Sequence, residues 1–158
     1  MNVFISIVLL CVVSYAKDAF YFLPNDSVKL KAHVEKLIKN SQNSIDIAMY
    51  NFEHKKLAKL LKNSIKKGIK VSVVFDSNKI DTEKKLKYDY LKKNGANTYI
   101  ADRKMHLKLA LFDNKTAMFG SLNWTKASFE DNYEIVYITD NTTVVKKSKK
   151  IFKELKEK

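Results

Sequence analysis

Two hydrophobic periods alternate along this chain of 158 residues, and their alternation constrains the fold more than any composition figure does. Ala19–Leu23 alternates with period two and reads as a short strand stopped by Pro24. Asn25, Asp26 and Ser27 then supply helix-start chemistry, and Leu30, Val34, Leu37 and Ile38 recur at helical spacing. Ser44–Tyr50 alternates again, with Ile45, Ile47 and Met49 on one face. Leu57, Leu60, Leu61 and Ile65 return to the helical period, and Gly68 is a good stop. Ile69–Phe75 is a nearly continuous apolar strand, the pattern of a buried position. Residues 81–94 read as a helix ending at Gly95, followed by a short strand at Asn97–Ile100. Leu107–Phe112, Thr116–Phe119 and Tyr133–Thr139 read as strands, and Ser121–Phe129 as a helical turn. Val144, Ser148, Ile151, Phe152 and Leu155 give a C-terminal amphipathic helix. The expected class is α/β: a mixed, mostly parallel β-sheet flanked by helices, in a single domain over residues 17–158.

The first sixteen residues stand apart. They carry no charged side chain, Val3 to Val13 is an apolar run, and Ser14-Tyr15-Ala16 places small residues where a signal peptidase reads. The run is short for a bilayer span. Residues 1–16 are expected to be a signal peptide, with an N-terminal membrane anchor as the rival, so the protein is expected to be exported: periplasmic, secreted or membrane-associated in a bacterium. Cys11 is the only cysteine. Its removal with that segment would exclude a thiolate nucleophile, a cysteine zinc site and a disulfide framework from the mature chain.

The formal net charge is +13, all of it beyond Ala16. Such a field attracts polyanions and speeds their encounter. Nucleic acid fits it, and an anionic membrane surface fits it nearly as well. No His, Cys and carboxylate cluster has metal-ligand spacing, so no metal and no cofactor are expected.

The informative stretch is His106-Leu107-Lys108, then Asp113, then Gly120-Ser121-Leu122-Asn123, or H-x-K-x4-D-x6-G-S-x-N. In a strand His106 and Lys108 share a face, while Leu107, Leu109 and Leu111 take the other. A nucleophile or base beside a fixed cation is what attack on a phosphodiester requires, because the cation neutralises phosphate oxygens as the imidazole approaches phosphorus. Asp113 falls on the leucine face and reads as structural, tying down a turn or neighbouring backbone. Gly120 lets backbone approach a ligand closely. Ser121 and Asn123 stand at an expected helix start, a natural anion site, and the Asn123 amide can donate two hydrogen bonds to phosphate.

This stretch resembles the signature of the phospholipase D superfamily at every defined position. Ile45–Tyr50 and Val71–Asp76 look like the N-terminal half of that family, and Trp124-Thr125 with Asn132-Tyr133-Glu134 look like its small, single-motif bacterial endonucleases. The likeness covers roughly residues 19–139. It implies the phospholipase D-like fold and a metal-independent phosphodiesterase, most simply a non-specific endonuclease on DNA and/or RNA. In that family histidine attacks phosphorus, a phosphohistidine forms, and a second histidine protonates the leaving oxygen. This chain holds one motif. His54-Lys55-Lys56 also reads H-x-K, but Leu61 stands where Asp would be needed, so it reads as a basic helix start, and His33 reads as an ordinary helix histidine. The second histidine is therefore expected from another subunit, in a homodimer.

Glu134 matches the carboxylate of the family's endonucleases. It would fix the His106 tautomer, or else be a surface carboxylate on an edge strand. Trp124 either stacks on a base or plugs the core, and Arg103 and Lys104 either line a groove or form a solvated loop. Two other functions compete: a phospholipase D or cardiolipin-type lipid phosphodiesterase, and a nucleic-acid or membrane binding protein without turnover.

Overall fold

The computed structural model describes residues 17–82 and 86–157. The apolar N-terminal run and its reading as a signal or anchor lie outside them. Among the described residues no helix is long and apolar enough to cross a membrane.

The elements follow in the order β1 (Asp18–Leu23), α1 (Ser27–Asn40), β2 (Ser44–Met49), α2 (Lys55–Lys66), β3 (Lys70–Phe75), α3 (Ser77–Thr82), α4 (Tyr88–Lys93), β4 (Asn97–Ile100), β5 (Lys108–Phe112), β6 (Thr116–Gly120), α5 (Lys126–Glu130), β7 (Glu134–Thr139) and α6 (Thr142–Lys156). The strands form one seven-stranded sheet in the order β1-β7-β6-β5-β2-β3-β4.

The sheet is mixed and flanked by helices, as expected, but its balance differs from the mostly parallel expectation. Only β2–β3 and β3–β4 pair in parallel. The other four pairings, β1–β7, β2–β5, β5–β6 and β6–β7, are antiparallel. For β5 and β6 the reason is their connection. A parallel neighbour needs a crossover, which α2 supplies between β2 and β3. Between β5 and β6 there is only a tight turn. Asp113 and Asn114 adopt φ of 54° and 53°, and the Lys115 N–H donates back to Phe112 O at 2.9 Å. Two consecutive positive φ angles twist a hairpin in the hand that its strands require.

Alternation along each strand sorts the core onto two faces. Ile45, Ile47 and Met49 of β2 join Leu30, Val34 and Ile38 of α1 and Leu57 and Leu61 of α2. Ala48, Val74, Leu109, Leu111 and Ala117 face the other way, against Val145 and Phe152 of α6. Each large side chain fully buried in this way contributes roughly 1.5–3 kcal/mol.

Two helices are shorter than their patterns imply. The 81–94 stretch is interrupted: α3 ends at Thr82, α4 begins at Tyr88, and Leu86 and Lys87 are not helical. The Lys87 N–H donates to Phe52 O at 2.9 Å, so this stretch is tied sideways to the β2–α2 loop instead of down a helix. Within Ser121–Phe129 only α5 is helical, capped by Thr125, whose Oγ accepts from the Ser128 N–H at 3.1 Å. The Ser121 and Trp124 N–H groups donate instead to Ile135 O and Asn51 O, both at 3.0 Å. Their lateral partners keep Ser121–Thr125 out of a helix.

Candidate active site

The motif residues meet at one end of the sheet. β5 begins at Lys108 and β2 ends at Met49, its register partner. His106 lies just ahead of β5, on a segment held at both sides: the Met105 N–H donates to Asp76 Oδ2 at 2.6 Å, and Leu107 O accepts from the Tyr50 N–H at 2.9 Å. The exposed His106 imidazole stands edge-on to the Tyr50 ring, with centroids 4.4 Å apart.

Lys108 is buried, 9% exposed, and its ammonium reaches back to the same spot. Nζ lies 3.1 Å from His106 Nε2 and 2.9 Å from His106 O, and sits 5.0 Å above the Tyr50 ring. An ammonium can only donate, so Nε2 is the acceptor and the proton of the neutral ring is on Nδ1. Desolvation lowers the His106 pKa, the Lys108 and Lys104 charges lower it further, and Asp76 opposes them. These influences favour the neutral imidazole, which is the nucleophilic form. Burial also lowers the Lys108 pKa, with Glu134 acting in the other direction.

Asn123 is held from behind. Its Oδ1 accepts from the Asn51 N–H at 3.2 Å, which leaves the amide NH2 as the group able to donate to an anion. Ser121, expected at the phosphate, is engaged within the protein. Its hydroxyl donates to Glu134 Oε2 and accepts from the Ile135 N–H at 3.1 Å. Glu134 is 8% exposed at the start of β7. Its hydrogen bonds go to Ser121 and Asn132 and its charge acts on Lys108, whereas the carboxylate acting on His106 is Asp76. The orienting contact expected between Glu134 and His106 is therefore not among the hydrogen bonds of this single chain.

Asp113 lies away from this cluster, in the β5–β6 turn. Its carboxylate accepts from the N–H groups of Gln42, Asn43 and Ser44 at 2.7–3.1 Å, pinning the α1–β2 connection. Gly120 makes room for protein rather than ligand: a Cβ there would come within 2.1 Å of Ile135 O on β7. Trp124 is fully buried, edge-on to Phe52 at 5.0 Å, so it plugs the core. Arg103 and Lys104 lie on an exposed loop, where Arg103 pairs with Asp102 at 3.7 Å. His54 is the N-cap of α2, accepting from the Leu57 N–H at 3.3 Å, and His33 Nδ1 pairs with the Tyr21 hydroxyl at 2.7 Å. Among the described residues no three His, Cys, Asp or Glu side chains converge so as to hold a metal ion.

Two participants escaped the motif reading: Tyr50, against the imidazole, and Asp76, fully buried beneath the His106 segment. A signal was available. Each is the first residue after a strand of the parallel part of the sheet, β2 or β3, and sites in α/β sheets gather at those carboxyl ends.

Residues 34–156 match the family described as cardiolipin synthase, PLD-like domain. The mitochondrial cardiolipin hydrolase of Xenopus laevis is 29% identical over 127 residues, which cover 73% of this chain and 55% of the relative. The human protein of the same description is 26% identical over 115 residues, 65% of this chain and 41% of the relative. The chain thus spans about half the length of the curated relatives it matches. Among solved structures, NucT from Helicobacter pylori superposes with a TM-score of 0.84 at 28% identity, covering 90% of this chain and 97% of NucT. Nuc from Salmonella typhimurium, described as a phospholipase D family member, shares the fold with a TM-score of 0.80 at 21% identity, over 89% and 94% of the two chains.

Proposed function

The chain belongs to the phospholipase D-like domain family, and from that premise we propose that it is a phosphodiester hydrolase that cleaves nucleic acid, DNA and/or RNA, as a homodimer. The observation that carries this reading is the His106–Lys108 pair, a neutral imidazole nitrogen 3.1 Å from a buried ammonium.

In the proposed reaction a phosphate oxygen takes over the Lys108 hydrogen bond and frees the Nε2 lone pair. Nε2 attacks phosphorus, the N–P bond forms as the P–O bond to the leaving group breaks, and the partner subunit's His106, entering the step as the imidazolium, gives that oxygen its proton. Water then yields a proton to the same imidazole and attacks phosphorus, releasing His106 and a phosphomonoester. Lys108 and Asn123 donate to the non-bridging oxygens. One such donor is worth about 2.7–4 kcal/mol, or roughly 10²–10³ in kcat. The net charge of +13 and the likeness of Trp124-Thr125 and Asn132-Tyr133-Glu134 to the single-motif endonucleases support a polynucleotide substrate.

A lipid phosphodiester is the second reading. An apolar cleft of about 450 Å³ opens beside the site, with His106 and Lys108 lining it together with Leu107, Phe119, Val144 and Ile151. The cardiolipin hydrolase relatives point the same way.

The deciding experiment incubates the purified protein, with EDTA, with plasmid, single-stranded DNA, RNA and labelled phospholipid. We expect cleavage of nucleic acid, an acid-labile phosphoryl group trapped on His106, no turnover by His106→Ala, and a loss of about 10²–10³ in kcat for Asn123→Ala. Activity that vanishes in EDTA and returns with magnesium or zinc, or that is confined to phospholipid, would overturn the proposal.

A further inference from the structure

The β2–α2 loop builds a second cationic site that the chemistry at His106 does not use. Beyond β2 the chain crosses the same end of the sheet, where the Glu53 and His54 N–H groups both donate to Trp124 O, at 2.9 and 2.8 Å. These bonds seat the start of α2 one loop away from Asn123. Lys126 follows Trp124-Thr125 on the opposite wall, and Lys87 is drawn in by its N–H bond to Phe52 O. The result is a cleft of about 500 Å³ lined by Glu53, His54, Lys55, Lys56, Lys87, Lys126 and Glu130.

The lining sets Lys55, Lys56, Lys87 and Lys126 against Glu53 and Glu130, and Lys56 also pairs with Glu35. Glu130 pairs with Lys31 at 2.7 Å and Lys126 at 3.6 Å, and Glu53 accepts from Asn51 Nδ2 at 2.8 Å. Cations remain in excess there. Burial lowers the Lys87 pKa, the Lys55 charge lowers it further, and Glu53 opposes them. Burial lowers His54 as well, followed by the charge of Lys31. An anion in the cleft would relieve this crowding of like charge.

We propose that this cleft is a phosphate subsite that holds a polynucleotide strand beside the scissile phosphate. The inference rests on the polynucleotide reading of the site and adds to it a second point of grip. A polynucleotide carries phosphates on either side of the one being cut, and a simple diester does not.

The test is the full chain with Lys55→Gln, Lys87→Gln and Lys126→Gln combined, checked for folding by its melting temperature. Hydrolysis of bis(p-nitrophenyl) phosphate should stay within about twofold of wild type, because the subsite is not engaged by a small diester. The KM for a single-stranded oligonucleotide should rise about tenfold or more. The slope of log K against log salt should become shallower by about 0.7, the share of one neutralised phosphate on a single strand. If the triple variant melts far below wild type, Lys55→Gln alone, at an exposed position, carries the same test with a smaller rise in the oligonucleotide KM. An unchanged oligonucleotide KM and salt slope, or an equal loss on both substrates, would overturn the subsite. Wild-type protein that cuts neither DNA nor RNA would instead defeat the functional reading itself, whatever the variant does, and this inference would fall with it.

Discussion

The reactivity proposed for His106 comes from what surrounds it rather than from the imidazole alone. The ring leans on Tyr50 and accepts from Lys108, and desolvation leads the influences that lower its pKa, with Lys108 and Lys104 adding to it and Asp76 opposing. A lowered pKa keeps the nucleophile deprotonated further down the acid side, so the acid limb of kcat/KM should lie below that of an ordinary imidazole. The charges give a test with two signs. Lys104→Gln removes a cation and should move the limb to higher pH. Asp76→Asn removes the opposing carboxylate, keeps an oxygen for the Met105 N–H, and should move it to lower pH. Profiles of kcat/KM against pH for the two variants would settle this, and displacement in the same direction would show that charge does not tune the ring. The His106–Lys108 pairing was legible in the sequence, because two residues apart on an extended segment means one face. The Asp76 contribution was not, since 29 residues separate it from Met105.

At the scale of elements, the motif residues Asp113 and Gly120 act on strands and turns. The Asp113 turn holds the N–H groups of Gln42, Asn43 and Ser44. Burial alone would raise the Asp113 pKa, but those donors outweigh it and hold the carboxyl below its usual range. A depressed folded-state pKa means stability that is present above the unfolded value, near 3.9, and lost as pH falls through the folded one. Asp113→Ala should therefore cost about 1.5–3 kcal/mol at neutral pH, as hydrogen bonds to a charged group do. Its melting temperature should approach that of wild type in acid, and kcat should hardly change. Gly120→Ala should behave differently. The new methyl would meet Ile135 O at 2.1 Å, so β6 and β7 must part where Ser121 and Glu134 bond across them. Denaturant melts should show a loss at or beyond the roughly 1–3 kcal/mol of an overpacked core, together with a loss of turnover. Both residues sit at fixed places in the sequence motif, but which backbone each one serves emerged only from strand pairing.

For the whole molecule, the conspicuous feature is a strip of uncovered apolar side chains near the site. α6 packs on β2, β5 and β6. Phe20 and Phe22 of β1, paired in register with Tyr137 and Ile135 of β7, remain 63% and 42% exposed. Ile135 is 49% exposed, Tyr133 is 83% exposed and stacks on Phe22 at 5.8 Å, and Leu107, next to His106, is 40% exposed. Contiguous patches of this kind mark contact surfaces. A self-complementary contact about a two-fold axis is the commonest oligomer geometry, and the proposed homodimer needs one that brings two His106 rings together. Mixing tests the shared site. Inactive His106→Ala chains exchanged with wild type should make activity fall with the square of the wild-type fraction. A linear fall, or full activity from a species that sediments as a monomer at assay concentration, would refute it.

What the sequence determined by itself was local in origin. Apolar residues at period two and period 3.6 placed the strands and helices, and the spacing of His106 and Lys108 put imidazole and ammonium on one face. Asp113 was expected apart from them by alternation, but it is separated because it stands in the turn at the other end of β5. The tertiary structure decided what depends on lateral partners. A tight turn made β5 and β6 antiparallel, and bonds to Asn51 and Ile135 kept Ser121–Thr125 out of a helix. Packing put Trp124 into the core, gave Glu134 to Ser121, and brought Tyr50 and Asp76 to His106. Backbone N–H and C=O groups must find partners wherever the fold leaves them. Those partners lie tens of residues away, where no local period records them.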